Sequence, residues 1–227
     1  DVATITSSGV VTGVAIGTTT ITYTTSSGCA TSVSFTVGGP SITKSGTITA
    51  FTACVGTATA AQTFTISASG LTASSTVNLA TPTGFEIATT SGGTYSSSIS
   101  LTESSGTVTN TTIYVRLSAS AAAGTYSGSI SLTSTGATTQ TITIPASTVN
   151  ALPNITGTLT TVIQGTSTLS STITGGTWSS STTAVATISA SGVVTGVANG
   201  TTTITYTTSS GCATTVSFTV AGPSITK

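Results

Sequence analysis

The sequence predicts an all-β chain made of sandwich domains in a tandem array, and three observations lead there. Nearly half of the residues are Ser or Thr, and β-branched residues fill most apolar positions, which suits a pleated, half-buried surface better than a helix. Apolar and hydroxylated residues alternate in short runs bounded by Gly, Pro and Asn turn signals. Residues 1–44 recur as residues 184–227, at an offset of 183 positions and with six differences, among them Asp1 against Ala184 and Ile16 against Asn199. Such differences suit turn or solvent-facing positions. Self-similarity this close implies an array, of which the chain is one period plus an overlap.

Composition then limits the chemistry. Only 3% of residues are charged, three basic and three acidic, and there is no His. Acid–base, nucleophilic and metal chemistry lean on His, Lys and paired carboxylates, so no enzyme is expected and no catalytic, cofactor-binding or metal-binding residue is nominated. A formal net charge of zero offers no basic footprint for nucleic acid. The mean hydropathy of +0.46 reflects missing charge, because Thr, Ser or Gly interrupts every apolar run well short of the ~18 residues a spanning helix needs. No membrane insertion is expected. Weak colloidal repulsion suits a protein that is anchored or assembled. The chain opens inside a structural pattern with no signal peptide, so a segment of a longer polypeptide is expected.

Along the chain, Gly38-Gly39-Pro40, Leu152-Pro153-Asn154 and Gly222-Pro223 carry linker chemistry. They divide it into residues 1–40, the C-terminal half of one domain; 41–150, a second type of sandwich; 151–223, a complete copy of the first type; and 224–227, the start of the next repeat. In the middle domain AQTFTISA, TVNLA, GFEIA, TYSSSISL, TTIYVRL, TYSGSISL and TQTITIP read as seven strands. In the last domain Val216, Phe218 and Val220 share one face, and Ile204 and Tyr206 alternate with Thr203, Thr205 and Thr207. Trp178 is the expected centre of a small core that also takes Tyr206 and Phe218 and, in the first copy, Tyr23 and Phe35. Ser191-Gly192 and Asn199-Gly200 supply turns that need positive φ. Residues 1–44 hold only the last four strands of their sandwich, so alone they would expose Val33, Phe35 and Val37 and open edges; a neighbour is expected to complete and order them.

The run GTWSSSTTAVATISASGVVTGVANGTTTITYT, Gly176 to Thr207, resembles a bacterial Ig-like domain of group 2, whose hallmarks are a W-S-S core, a G-V-V-T-G-V turn and a G-T-x-x-I-x-Y strand. The C-terminal half of that pattern appears again within residues 1–37. The middle domain, with PTGFEIATTSGGTYSSSISL and TTIYVRLSASAAAGTYSGSISL, is similar to an Ig-like repeat of large secreted proteins of the Bacteroidota. The resemblance implies tandem Ig-like β-sandwiches, an extracellular cell-surface location, and a stalk such as those of the giant type IX-secreted adhesins of gliding motility.

The cysteines are Cys29, Cys54 and Cys212. Buried free thiols, an inter-domain Cys29–Cys54 bridge and inter-chain bonds are all compatible with the sequence, and an extracellular compartment favours bonds. Because Cys212 repeats Cys29, its partner is expected about 25 residues on, past Lys227. Against a Cys29–Cys54 bond, a strand of roughly 8 residues after Cys29 spans some 25 Å towards the junction, while Cys54 reads as lying well inside the next domain. Ser41-Ile42-Thr43-Lys44 and its copy Ser224–Lys227 match S-x-x-K, but that motif needs a helix and companion motifs; a solvated Lys is the plainer reading. An isopeptide bond from Lys44 would need local Asn or Asp partners that are not evident. Glu86 and Arg116 are placed to form an exposed cross-strand ion pair, worth at most about 1 kcal/mol. Glu103 reads as solvated, and three dispersed acids cannot make a calcium cage. The row Thr201, Thr203, Thr205, Thr207 raises ice or mineral binding, against the simpler preference of exposed strands for Thr. Asn110, Asn154 and Asn199 begin N-x-[ST] triplets that arise easily by chance.

The expected function is a structural stalk segment of a large extracellular adhesin. Its partners would be neighbouring repeats of the same chain or other copies of itself, with surface glycans bound only through a separate tip. The alternative is a subunit of a self-assembling extracellular filament or sheath, whose chains complete one another by strand addition. A glycan-binding module would need an aromatic platform, for which one core Trp and five scattered Tyr give little support.

Overall fold

A computed structural model describes residues 1–222. Every regular element among the described residues is a β-strand. They fall into two compact units: residues 1–50, 60–116 and 127–146 in the first, and residues 51–59, 117–126 and those from Ser147 onward in the second.

The chain begins with two hairpins, β1 (Ala3–Ile5) with β2 (Val11–Gly13), and β3 (Gly17–Thr24) with β4 (Ala30–Val37). After Pro40 come β5 (Ser41–Ser45) and β6 (Thr52–Cys54), the latter in the second unit. The seven segments read as strands in the middle of the chain are β7 (Gln62–Ser69), β8 (Thr76–Ala80), β9 (Phe85–Ala88), β10 (Ser98–Thr102), β11 (Val108–Leu117), β12 (Gly124–Thr133) and β13 (Gln140–Asn150). They form a four-stranded sheet in the order β5-β7-β11-β9 and a five-stranded sheet in the order β10-β8-β12-β13-β6; β12 and β13 run from one unit into the other. In the first unit alternate residues of each sheet are buried: Phe64 and Ile66, Ile113 and Val115, Val77 and Leu79, Ile130 and Leu132, Ile142 and Ile144. This period-two burial on both sheets is what a sandwich requires.

The second unit continues through β14 (Ile155–Thr156), β15 (Thr160–Val162), β16 (Thr166–Thr168), β17 (Ser170–Ser171) and β18 (Thr177–Ser180). Four more strands follow: β19 (Ala186–Ile188), β20 (Val193–Gly196), β21 (Gly200–Thr207) and β22 (Ala213–Ala221). Sheets β15-β22-β21-β18 and β16-β20-β19 enclose Ile155, Leu169, Ala186, Val194, Ile204, Tyr206, Phe218 and Val220. Trp178 is not the centre of this core. It lies on β18, the edge of its sheet, and packs half-buried against the cluster, whereas Ile204 and Phe218 are fully enclosed. Thr202 is the polar exception on the inward face; its hydroxyl accepts from the Thr182 amide at 3.0 Å and sits 3.0 Å from Ser180 Oγ, so its burial leaves no bond unmade.

The duplicated ends have the same backbone. Strand β3 pairs with β4 from Gly17↔Val37 to Thr24↔Ala30, and β21 with β22 from Gly200↔Val220 to Thr207↔Ala213, each register shifted by 183 positions. Their surroundings differ. Tyr206 is 4% exposed and its counterpart Tyr23 is 68% exposed; Val33 is exposed, and Phe35 and Val37 are half-buried where Phe218 and Val220 are enclosed. Tyr23 and Phe35 therefore do not form a core: β3 and β4 make a two-stranded sheet, and of the opposing sheet only the β1–β2 hairpin is present, where a Cβ on Gly13 would meet the Val37 side chain at 2.9 Å. Gly9 and Gly192 repeat the contrast at one turn. Both have φ +84°, but a Cβ on Gly192 would meet the Leu169 carbonyl oxygen at 2.3 Å, and one on Gly9 would meet nothing within 4 Å.

The contrast sets an expected outcome for a matched pair of substitutions. Tyr206→Ala removes a buried aromatic ring and is expected to destabilise the second unit by about 3–5 kcal/mol. Tyr23→Ala is expected to stay within about 0.5 kcal/mol of the parent. Urea denaturation followed by Trp178 fluorescence measures the first, and circular dichroism the second.

Candidate functional site

The most consequential side-chain arrangement is a disulfide between Cys54 and Cys212, with Cα atoms 5.6 Å apart and 158 positions between them in sequence. Both ends are placed by strands. β6 pairs in parallel with the end of β13, Cys54 opposite Asn150, and the Val55 amide donates to the Asn150 carbonyl at 3.0 Å. Cys54 thus lies beside the residue where the chain leaves β13, not deep inside the middle domain as its sequence position suggests. Cys212 closes the β21–β22 turn, where the Thr208 amide donates to the Cys212 carbonyl at 2.8 Å and the Thr208 hydroxyl accepts from the Cys212 amide at 3.1 Å.

Two expectations are corrected here. The partner of Cys212 is upstream, not past Lys227, and Cys54 bonds to Cys212 rather than to Cys29. Counting forward along the sequence misses this because β6, which carries Cys54, joins a sheet through a strand nearly 100 residues away. Cys29 holds the same turn as Cys212, with the Thr25 amide donating to the Cys29 carbonyl at 2.9 Å, yet its thiol is free and exposed where Cys212 is 1% exposed.

The remaining candidates lie apart. Arg116 Nε donates to Glu86 Oε1 at 2.7 Å, and the Arg116 guanidinium lies 3.7 Å from the centre of the Tyr95 ring. The pair joins β9 to β11 and is partly buried, with the guanidinium lying against the Tyr95 ring. Glu103 is more than a solvated acid. It accepts from the amides of Ser74 at 2.8 Å and Gly106 at 2.7 Å, tying together two turns whose residues Ser74 and Gly106 both have positive φ. Lys44 is exposed and donates to the Thr141 carbonyl. Its copy in Ser224–Lys227 lies outside the described residues, as does Pro223.

Thr201 and Thr203 are exposed while Thr205 and Thr207 are half-buried, and Asn110, Asn154 and Asn199 are all exposed. Trp178 and Tyr206 stand opposite each other across β18 and β21 with ring centres 4.6 Å apart and planes at 58°. The Gly176 amide donates to the Tyr206 hydroxyl at 2.8 Å. Both rings are engaged in packing. Among the described residues no cluster of three or more His, Cys, Asp or Glu side chains is placed to hold a metal ion.

The bridge closes a loop long enough that its loss is expected to destabilise the second unit by about 2–5 kcal/mol. Cys212→Ser is therefore expected to lower the denaturation midpoint of the non-reduced protein markedly, with Cys29→Ser matching the parent. Equal effects of the two substitutions would show that the bond at Cys212 contributes nothing that the Cys29 thiol does not.

No protein-family model matches the chain, and no curated protein matches it in sequence. Among solved structures it is similar to a C-terminal 282-residue fragment of intimin, with 19% identity and a TM-score of 0.39 over 78% of this chain and 62% of that one. It is similar to invasin, a bacterial integrin-binding protein, with 16% identity and a TM-score of 0.35 over 92% of this chain and 46% of that one. A third is domains 4–9 of the surface layer protein SbsC, with 17% identity and a TM-score of 0.31 over 98% of this chain and 38% of that one. The chain spans less than two thirds of the length of each of these structures.

Proposed function

We propose that this chain is a load-carrying stalk segment of a large extracellular cell-surface adhesin, built by repetition of a period of 183 residues and acting without catalysis. The observation that carries the reading is the duplicated end, whose two copies keep the same strands in the same register at that offset. Matching local structure at both ends of one period is what a tandem array needs. The Cys54–Cys212 bond fits an oxidising compartment outside the cytosol. A surface with very few charges suits a tethered rod better than a free protein. The resemblance of Gly176–Thr207 to bacterial Ig-like domains, and of the middle domain to repeats of secreted Bacteroidota proteins, supports the finer reading of a type IX-secreted adhesin of the gliding-motility kind.

The mechanics follow from connectivity. When the chain is pulled by its ends, tension reaching Cys54 crosses the disulfide to Cys212, and the 158 positions of backbone between them are shielded. Single-molecule pulling from both termini tests this. The oxidised chain is expected to unfold in discrete force peaks without releasing the shielded loop. Added reductant is expected to lengthen the total release by about 55 nm, at roughly 3.5 Å per residue. Smooth extension with no force peak in either state would contradict a load-carrying role.

A further inference from the structure

The chain contains its own control for what the first 37 residues lack. Residues 17–31 and 200–214 are identical in sequence. In the second copy β21 is bordered by β22 and β18, and β22 by β21 and β15, with Trp178 opposite Tyr206 and Thr160 opposite Thr219. Ile155 and Leu169 are buried in the same core. In the first copy β3 and β4 pair only with each other. Ile5, Val10, Tyr23 and Val33 are each more than half exposed, whereas their counterparts Ile188, Val193, Tyr206 and Val216 are buried or half-buried. The open edges, the open face and the open thiol of Cys29 coincide with the places that β15 and β18, Ile155 and Leu169, and Cys54 fill in the second copy.

We propose that this face receives a preceding copy of the chain's own β14–β18 stretch, joined ahead of Asp1 in the same polypeptide, and that Cys29 forms a disulfide with that copy's counterpart of Cys54. The proposal rests on the tandem-array part of the reading above and not on surface location. The 183-residue offset sets Asp1 at the position of Ala184, so a copy ending directly ahead of Asp1 needs only the short link that Ser181–Thr183 makes in the second copy. A separate molecule is a poorer source, because its β14–β18 already complete its own sandwich and would have to leave it. An in-line copy also acts at high effective concentration. Closing the bond takes two thiols to one disulfide; the two electrons and two protons pass to a small-molecule disulfide such as oxidised glutathione, which leaves as two thiols.

Repeated along an array, these bonds define a continuous load path. It runs along the backbone from Cys29 to Cys54, across the disulfide to Cys212, and Cys212 is the next period's Cys29. Each period then exposes to tension only the 25 positions from Cys29 to Cys54, and the other 158 hang from a closed loop.

The test joins a second copy of residues 41–183 ahead of Asp1 of the 227-residue chain and oxidises both proteins with oxidised glutathione. Thiol titration after denaturation is expected to find one free thiol in the parent and none in the extended chain. Peptide mapping is expected to find a Cys54 peptide bonded to the Cys29 peptide as well as to the Cys212 peptide, which Ser32 against Thr215 tells apart. The Cys212 bond reports that the molecule has folded. Limited proteolysis is expected to cut the parent within residues 1–37 and to spare them in the extended chain, including its Cys29→Ser variant, since the apolar face docks without the bond. Two free thiols and unchanged cleavage in the extended chain would overturn the proposal. A parent that dimerises at micromolar concentration and thereby protects residues 1–37 would overturn it too, by identifying a second molecule as the occupant. The pulling measurement on the parent chain is independent of both results.

Discussion

A sheet with one apolar side is stable only where something covers that side, and this chain places the same strands in both situations. Residues 200–207 and 213–220 are covered by a second sheet and enclose Ile204, Tyr206, Phe218 and Val220. Residues 17–24 and 30–37 repeat their register, but Tyr23 and Val33 on the same face are exposed. Backbone pairing is set locally, by alternation and by the tight turns at Gly28 and Gly211, both with φ near +85°. Burial is set by long-range partners, which supply the larger share of the free energy: roughly 25 cal/mol for each Å² of apolar surface removed from water. The two contributions, inseparable in most domains, are separated here by the repeat itself.

The disulfide converts this dependence into a covalent one. It joins β6, the edge strand of the five-stranded sheet, to the turn between β21 and β22, so most of one period lies inside a single closed loop. Such a bond limits how far the unfolded chain can expand, and under tension it also decides which residues feel the load.

Much of the fold was legible in the sequence because long strands carry their own period. Each of the seven alternating runs in the middle of the chain is a strand, and the inward positions Ile204, Tyr206 and Phe218 follow from parity alone. The short strands β6, β14, β15 and β17 were not legible: two or three residues hold no period, and β6 and β15 exist because the longer β13 and β22 offer them an edge, while β14 and β17 pair with each other. The cysteine pairing failed for that reason, since the place of Cys54 depends on β6 lying along the end of β13. The size of Trp178 suggests a core centre, but size does not show whether a strand is central or at an edge. Glu103 looked solvated because its partners are backbone amides, which no side-chain pattern reveals.

The central claim is that covering the face, and not the sequence of the strands, separates the two copies. Residue-resolved amide hydrogen exchange by NMR on the oxidised 227-residue chain compares Gly17–Thr24 with Gly200–Thr207, eight identical residues in the same ladder register. The account predicts that amides of the second set exchange only through opening of the whole sandwich and are slower by several orders of magnitude than their counterparts, which exchange through local opening. Equal protection of the two sets would contradict it.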